Sequence, residues 1–309
     1  MSKENQVTLK KIATSDFSGG GILNPAQAKK FITFVVDESV MTKVARVKTM
    51  TAPIEELSRL HIGDRVLQGK GEMIAPTSGQ YVQASGSQIE LSTKAFIIPW
   101  EISYEQMDDN VEEEGFEETL MKEIAMAAAN DIEELAILGD TASGDPFLVL
   151  VNGWHKLAVA DGAHLVDISG FTDKTLTKYV FSALLKGLPT KYRRNRGQLA
   201  FFVNPDNEQD YRVSLTGRDT NVGDNALVLN ENLKIFGVDI LPVPTLTAGS
   251  VVLTVKKNLI EGIWKKIRLE KDKDIYKGAH QFAFHLRIGF AVEKGDAYAY
   301  LSGVVEATH

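Results

Sequence analysis

The chain has 309 residues, of which 44% are hydrophobic and 24% charged, with a formal net charge of −7 and no cysteine. Those values fit a soluble globular protein of one large or two closely joined domains, and they exclude disulfide staples, thiolate metal sites and cysteine nucleophiles. The negative charge disfavours a dedicated phosphate binder, no apolar run approaches the ~20 residues of a membrane span, and residues 1–6 lack the apolar core of a signal peptide, so the cytosol of the producing cell is the expected location.

Residues 1–23 are polar and end in Gly19, Gly20 and Gly21, the pattern of a mobile arm. Asn24, Pro25 and Gln27 then mark a helix start: a capping side chain, a proline in the first turn and a glutamine that reaches back. Ala28, Phe31, Ile32, Val35 and Val36 follow at helical spacing, so this helix needs a surface for its stripe. Residues 44–102 read as extended, with strands predicted at Ile54–Leu60 and Gln88–Ile98. Gly63, Gly69, Gly71, Pro76, Gly79 and Gly86 punctuate the stretch between them, which exceeds the ~12–15 residues of an ordinary loop. A two-stranded projection cannot bury its own sides and is expected to lie on something else.

Ser103–Asp109 reads as a turn or short helix. Residues 115–138 then form a long helix, with Phe116, Leu120, Ile124, Ala128, Ile132, Leu135 and Leu138 on one stripe. Glu112, Glu113, Glu114, Glu117 and Glu118 cluster at its start, where carboxylates suit the helix dipole, and Gly139 is a natural stop. The small run Ala125–Ala129 permits close approach of another element. Residues 140–171 are turn-rich. Thr172–Leu188 is a second amphipathic helix, with Leu176, Tyr179, Val180, Ala183 and Leu184 on its face. Gln198–Asn204 is a short buried strand, 205–232 a polar surface loop, and Ile235–Val243 and Val251–Val255 further strands. His280–Val292 alternates: Phe282, Phe284, Leu286, Ile288 and Phe290 point one way, Ala283, His285, Arg287 and Gly289 the other. A last strand follows at Ala297–Val305. The class is α+β.

A search for chemistry finds no reactive centre. Gly63–Gly71 resembles a phosphate loop, but its glycines are one residue too far apart and Gly71 stands where Ser or Thr must bind magnesium. His155 and His164 lack zinc-motif spacing. Asp219, Asn221, Asp224 and Asn225 offer calcium-like oxygens without the spacing or late glutamate of a calcium loop. The Glu112–Glu118 cluster reads as a solvated helix start. The basic run Lys191–Arg196, with Tyr192 within it, is short and isolated; a salt-bridging patch for a neighbouring subunit is favoured over nucleic-acid contact.

The ordered series Ile102–Asp109, the long acidic-started helix, Asn130–Asp140, Tyr192–Asn204, Phe236–Pro244 and His280–Leu301 resembles the tailed-phage major capsid proteins. The likeness covers residues from about 24 to 305 and rests on order, not on one motif. It implies an α+β, Hong Kong 97-like capsid fold. Residues 1–47 would be the N-terminal arm and 48–100 the extended β-hairpin loop. Residues 101–172 with 276–309 would form the peripheral domain with its long spine helix. Residues 173–275 would form the axial domain, whose loop 205–232 would point toward the capsomer axis. The implied function is that of a major capsid protein, not an enzyme, with no catalytic, cofactor-binding or metal residues and no cofactor. It would build hexamers and pentamers of the icosahedral virion shell, assembled in the host cytoplasm. A portal protein and packaged double-stranded DNA, enclosed without sequence-specific contact, would be its partners; no membrane is implied. Family members are guided by a fused N-terminal domain or a separate protein. With Met1 opening the chain and about two dozen polar residues before Asn24, a separate scaffolding protein is expected. Some members crosslink through a loop lysine and a distant asparagine; Lys70 and Lys94 lie in or beside the loop, but nothing identifies their partner or a catalytic carboxylate. An encapsulin-like compartment, marked by protein cargo, and a soluble enzyme with an unrecognised site, marked by turnover in a low-mass oligomer, are the other readings.

Overall fold

The computed structural model describes residues 39–62, 67, 84–108, 116–171, 174–216, 233–264 and 268–305. The helix expected after Asn24, the loop tip including Lys70, the Asp219–Asn225 segment, the side chains of Glu117 and Glu118, and residues 112–114 lie outside that description. Along the chain come α1 (Val40–Val44), β1 (Arg46–Met50), β2 (Ile54–Ile62), β3 (Ala84–Ser92), β4 (Lys94–Ser103), α2 (Tyr104–Asp108) and the long α3 (Phe116–Leu138). Then follow α4 (Trp154–Ala160), β5 (His164–Val166), α5 (Lys178–Gly187), α6 (Thr190–Arg193), β6 (Leu199–Val203) and α7 (Pro205–Thr216). The remainder is strand: β7 (Lys234–Ile235), β8 (Val238–Pro242), β9 (Val251–Val255), β10 (Leu259–Trp264), β11 (Arg268–Asp274), β12 (Ala279–Val292) and β13 (Tyr298–Leu301). No helix among the described residues is long and apolar enough to cross a membrane.

Two sheets carry the body. In the first, β12 is central: β10 and β11 run along one edge of it, β4 along the other, and β1 adds in parallel to β10. Its expected inward set, Phe282, Phe284, Leu286, Ile288 and Phe290, is buried. That face packs with Phe96, Ile98, Trp100 and Ile102 of β4 against the α3 stripe of Ala125, Ala128, Ala129, Ile132 and Leu135. Trp100 stacks on Phe282 at 5.2 Å between centroids, nearly parallel. Each large side chain buried here contributes about 1.5–3 kcal/mol. Gly139 ends α3 because a Cβ there would run into the carbonyls of Leu135 and Val151, while its own N–H reaches Leu135 O at 3.0 Å.

The second sheet has the order β5-β13-β9-β6-β8-β7. All of β6 is buried because both faces are covered. Ala200 and Phe202 join the α3 core, whereas Leu199, Phe201 and Val203 join a second core with Val180, Phe181 and Leu184 of α5. Hydrogen bonding crosses the expected segment boundaries both ways: β10 and β11 serve the sheet of β12, and β5 and β13 serve the sheet of β6.

Four expectations need correction. The strand expected over Gln88–Ile98 is two strands, split where Thr93 donates from both N and Oγ1 to Pro53 O at 2.9 Å. The front of the expected 205–232 loop is helix α7: Asn204 Oδ1 accepts from Asp206 N at 3.0 Å, Pro205 fits the first turn, and Tyr211 packs edge-on against Phe181. The second amphipathic helix begins only at Lys178; Leu176, just ahead of it, is buried in the second core as expected, whereas Tyr179, expected inside, is 62% exposed. Helix α4, in the turn-rich stretch, was not foreseen; Trp154 fixes it by donating Nε1–H to Ile260 O at 2.9 Å and meeting Phe290 edge-on.

Candidate assembly surface

Strands β2 and β3 pair over nine residues each and with no other strand among those described. They form a two-stranded ribbon whose last described pair is Ile62 with Ala84. It is fixed to the body in three ways. Leu57, Ile89 and Leu91 pack with Met50, Ile260 and Ala291 on the outer face of the first sheet. Gly262 leaves room for this, since a Cβ there would stand 2.6 Å from Met50 Sδ and 2.7 Å from Leu91 Cδ2. Glu55 then caps the β1–β2 turn: its Oε1 accepts from Thr51 N at 2.6 Å and Thr51 Oγ1 at 3.0 Å, and its Oε2 meets Lys48 Nζ at 2.6 Å. Lys48 and the Thr51 donors hold the Glu55 carboxyl down at about 2.

The third fixing is Arg59. Its guanidinium grips Asp161 at the end of α4 with both prongs, Nη1 to Oδ2 at 2.7 Å and Nη2 to Oδ1 at 3.3 Å. It also donates to Glu293 O at 3.0 Å and to Ser87 Oγ across the ribbon at 2.9 Å. Gly295 N donates to Asp161 Oδ2 at 2.8 Å. Beside them Asp296 accepts from the Tyr192 hydroxyl at 2.7 Å and pairs with Lys191 at 2.6 Å, all around a cleft of about 330 Å³. Burial pushes Asp161 and Asp296 up, but Arg59 with Gly295 N–H, and Lys191 with Tyr192, more than offset it and leave both carboxyls low. Burial and the Asp296 bond push the Tyr192 hydroxyl up. The run Lys191–Arg196 is largely engaged within the chain. Lys191 and Tyr192 are engaged within the chain, Arg193 Nη2 reaches Thr190 Oγ1, Arg196 reaches Phe236 O, and Arg194 stays exposed.

The other residues weighed for chemistry are scattered. His155 packs against Tyr298 and Tyr300, and burial pushes its imidazole down. His164 stands in β5 and Lys94 opens β4. Among the described residues no group of three or more His, Cys, Asp or Glu could hold a metal.

Two groups escaped the sequence reading. One is apolar and exposed. Ile275 is 83% exposed and Tyr276 fully so at the tip between β11 and β12, where Asp274 Oδ1 holds the turn by accepting from Tyr276 N and Lys277 N. Ile97 is 56% exposed on the outer face of β4, and Leu67, in the loop, is 97% exposed. Their signal was an apolar residue inside a polar run, visible at Ile275-Tyr276 between Asp274 and Lys277. The other group is buried: Glu133 of α3 and Glu261 of β10. Its signal was one carboxyl inside the apolar run Leu259–Trp264.

No protein-family model matches the chain. It is 33% identical to "Putative prophage capsid protein YqbE" of Bacillus subtilis (strain 168), over 99% of this chain and 100% of that protein. Among solved structures it resembles a chain of "Satellite phage P4 procapsid including size determination (Sid) protein", with a TM-score of 0.65, 14% identity, and 92% and 93% of the two chains covered. It also resembles a chain of "Mycobacterium phage Che8", with a TM-score of 0.59, 14% identity, and 85% and 90% covered.

Proposed function

Because this chain belongs to the phage capsid protein family and has the Hong Kong 97-type fold, we propose that it is the major capsid protein of a tailed double-stranded DNA phage, assembling through its loop ribbon into an icosahedral shell. The observation that carries this reading is the ribbon itself. It is held against the body along its described length by Glu55, Arg59 and Leu91, yet β2 and β3 pair only with each other among the described residues. A two-stranded ribbon cannot bury both of its sides by itself, and it gains the missing contacts by lying on a neighbouring copy. Ile97, Ile275 and Tyr276 offer further apolar area for such contacts.

The finer assignments follow from the same reading. Residues 1–47 serve as the arm, 48–100 as the extended loop, 101–172 with 276–309 as the peripheral domain, and 173–275 as the axial domain, with strands exchanged as described. Hexamers and pentamers form the shell, a portal protein occupies one vertex, and the net-negative wall encloses DNA without gripping it. The P4 procapsid includes a size determination protein, which supports a separate scaffolding protein here as well. The subunit assembles in the host cytoplasm and resides in the virion. It is not an enzyme: in the charged cleft Arg59, Asp161, Lys191, Tyr192 and Asp296 satisfy one another, a structural clamp rather than a poised acid and base.

Electron microscopy and light scattering of the full chain, alone and co-expressed with candidate scaffolding proteins, test the proposal. Hollow shells or capsomers are expected. Monomers or dimers alone, across salt and crowding conditions and with partners present, would overturn it.

A further inference from the structure

Strand β10 presents Leu259, Glu261 and Ile263 to the α3 core, and Ile260 to the opposite face. The Glu261 carboxyl therefore faces inward from an apolar strand. It is fully buried, and neither of its oxygens has a hydrogen-bond partner. The Thr42 hydroxyl, also buried, lacks one too. An orphaned buried carboxyl of this kind calls for an explanation.

Helix α1 lies against it, through the Thr42 side chain. Ser39 Oγ and Met41 N donate to Glu133 Oε1 at 3.0 and 2.6 Å, and Thr42 N donates to Ser39 Oγ at 3.2 Å. Thr245 Oγ1 lies 3.5 Å from Glu133 Oε2, and Lys257 N reaches Val44 O at 3.2 Å. Glu133 is thus matched by the donors at the start of α1. Glu261, beneath the same short helix, has only the Thr42 hydroxyl beside it among the described residues, and no hydrogen bond closes between them. A carboxylate in that position would be deprived of water and would stand beside the Glu133 charge.

The other charged groups around it are committed elsewhere. On β1, Arg46 pairs with Glu293 at 3.2 Å and Lys48 with Glu55 at 2.6 Å. Lys43 of α1 is exposed. On β12 the residue opposite Glu261 is Phe290. From α4 the indole of Trp154 gives its N–H to Ile260 O. Among the described residues Glu133 is the one charged group that bears on it.

We propose that Ser39–Ala45 is a proton-controlled latch, closed while Glu261 holds a proton beneath α1 and opened when that proton is lost to solvent. Burial raises the Glu261 carboxyl from 4.5 to about 7; the Thr42 hydroxyl opposes it, and the Glu133 charge adds a smaller push upward. Undocking α1 gives Glu261 water and returns it toward its ordinary value. Docking is therefore strongest below about pH 4.5 and weakens as pH rises through about 7, by up to two orders of magnitude in the docking equilibrium. The latch belongs to the subunit, and its test needs no assembly.

Hydrogen exchange of the full chain reads it directly. After correction for intrinsic exchange, protection of the Met41 and Ala45 amides, relative to amides of α3, should fall at least about tenfold between roughly pH 5 and pH 8. In Glu261→Gln, which copies the neutral acid, protection should stay high throughout. Flat protection in the wild type, or an unchanged fall in Glu261→Gln, overturns the latch. Should the variant fold poorly, carboxyl carbon-13 spectra of glutamate-labelled wild type decide: one glutamate should titrate near neutrality, and titration of all of them below about pH 5.5 overturns the proposal. Calcium chloride should leave the exchange profile unchanged; protection restored by calcium at about pH 8 would assign the site to a cation and overturn the proton latch.

Discussion

Arg59 and Asp161, 102 residues apart in the chain, meet in a two-pronged ion pair that fastens the β2–β3 ribbon to the end of α4. Two prongs fix direction as well as distance. The same guanidinium reaches the Glu293 carbonyl and the Ser87 hydroxyl, so one side chain joins both ribbon strands, α4 and the turn before the last strand. That side chain fixes the described ribbon against the body.

Arg59→Ala should therefore loosen the ribbon more than the body. The pair is partly exposed, with 23% and 38% of the two side chains open to solvent, so a global loss of only about 1 kcal/mol is expected. A double-mutant cycle with Asp161→Asn in urea unfolding should give a coupling of about 0.5–1.5 kcal/mol. Hydrogen exchange should rise over Ser87–Leu91 before it rises in β12. No coupling, together with unchanged exchange, would remove the clamp from the account.

Replacing residues 63–83 with Asn-Gly should leave a folded subunit that forms no shells. Ile62 and Ala84 are paired in register, so a two-residue turn can close the hairpin there. Leu57, Ile89 and Leu91 keep their packing on Met50, Ile260 and Ala291. Unfolding midpoint within a few degrees of wild type and loss of particles in micrographs are the expected pair of results. Normal shells from this variant would mean that the loop is not an assembly element.

The sequence was most legible where one side of an element meets water and the other meets the core. The alternation in β12 and the stripe on α3 are of that kind, and Ile132, Leu135, Phe284 and Leu286 are buried as their spacing predicts. It was least legible where composition and position disagree. Polar residues hid α7, although Asn204 and Pro205 carry the same start signal as Asn24 and Pro25. Tyr179 was misplaced because the buried face of α5 runs through Val180, Phe181, Leu184 and Leu185, which leaves the position before Val180 at its edge. The clamp was invisible because Arg59, Asp161 and Asp296 lie in three segments that only the folded sheets bring together. The series of elements nevertheless carried the family assignment, since the order of elements survives where individual contacts cannot be read.

Ile132→Asp tests the spine. Ile132 is 7% exposed on the α3 stripe, beside Ala128 and Leu135 and facing the β12 side chains. A carboxylate there loses the apolar contacts and meets no cation in the cluster, at a cost of several kcal/mol. Insoluble or unfolded protein is expected from expression and circular dichroism. Wild-type thermal stability would show that this face is not buried.

The pH dependence of global stability should have a falling limb on each side, with different causes. On the acid side, Glu55, Asp161 and Asp296 sit below their ordinary values. Their contributions are present above the carboxylate values of the unfolded chain and are lost as pH falls through the lowered ones. On the other side Glu261 runs in the opposite sense. Its carboxyl is raised from 4.5 to about 7, so its stabilising share is whole below about pH 4.5, declines as pH rises, and is gone once pH passes about 7. The full swing approaches about 3 kcal/mol, and less if α1 undocks and lets water in before the body unfolds. Stability of the wild type should then peak near pH 5, between the two limbs, and Glu261→Gln should flatten the upper limb alone. The variant is expected to match wild type at about pH 5 and exceed it at about pH 8 by roughly 1–3 kcal/mol in urea unfolding, because an amide needs no proton to stay neutral. A variant less stable than wild type at both pH values would mean that Glu261 is used as a charge, and that a partner for it exists beneath α1.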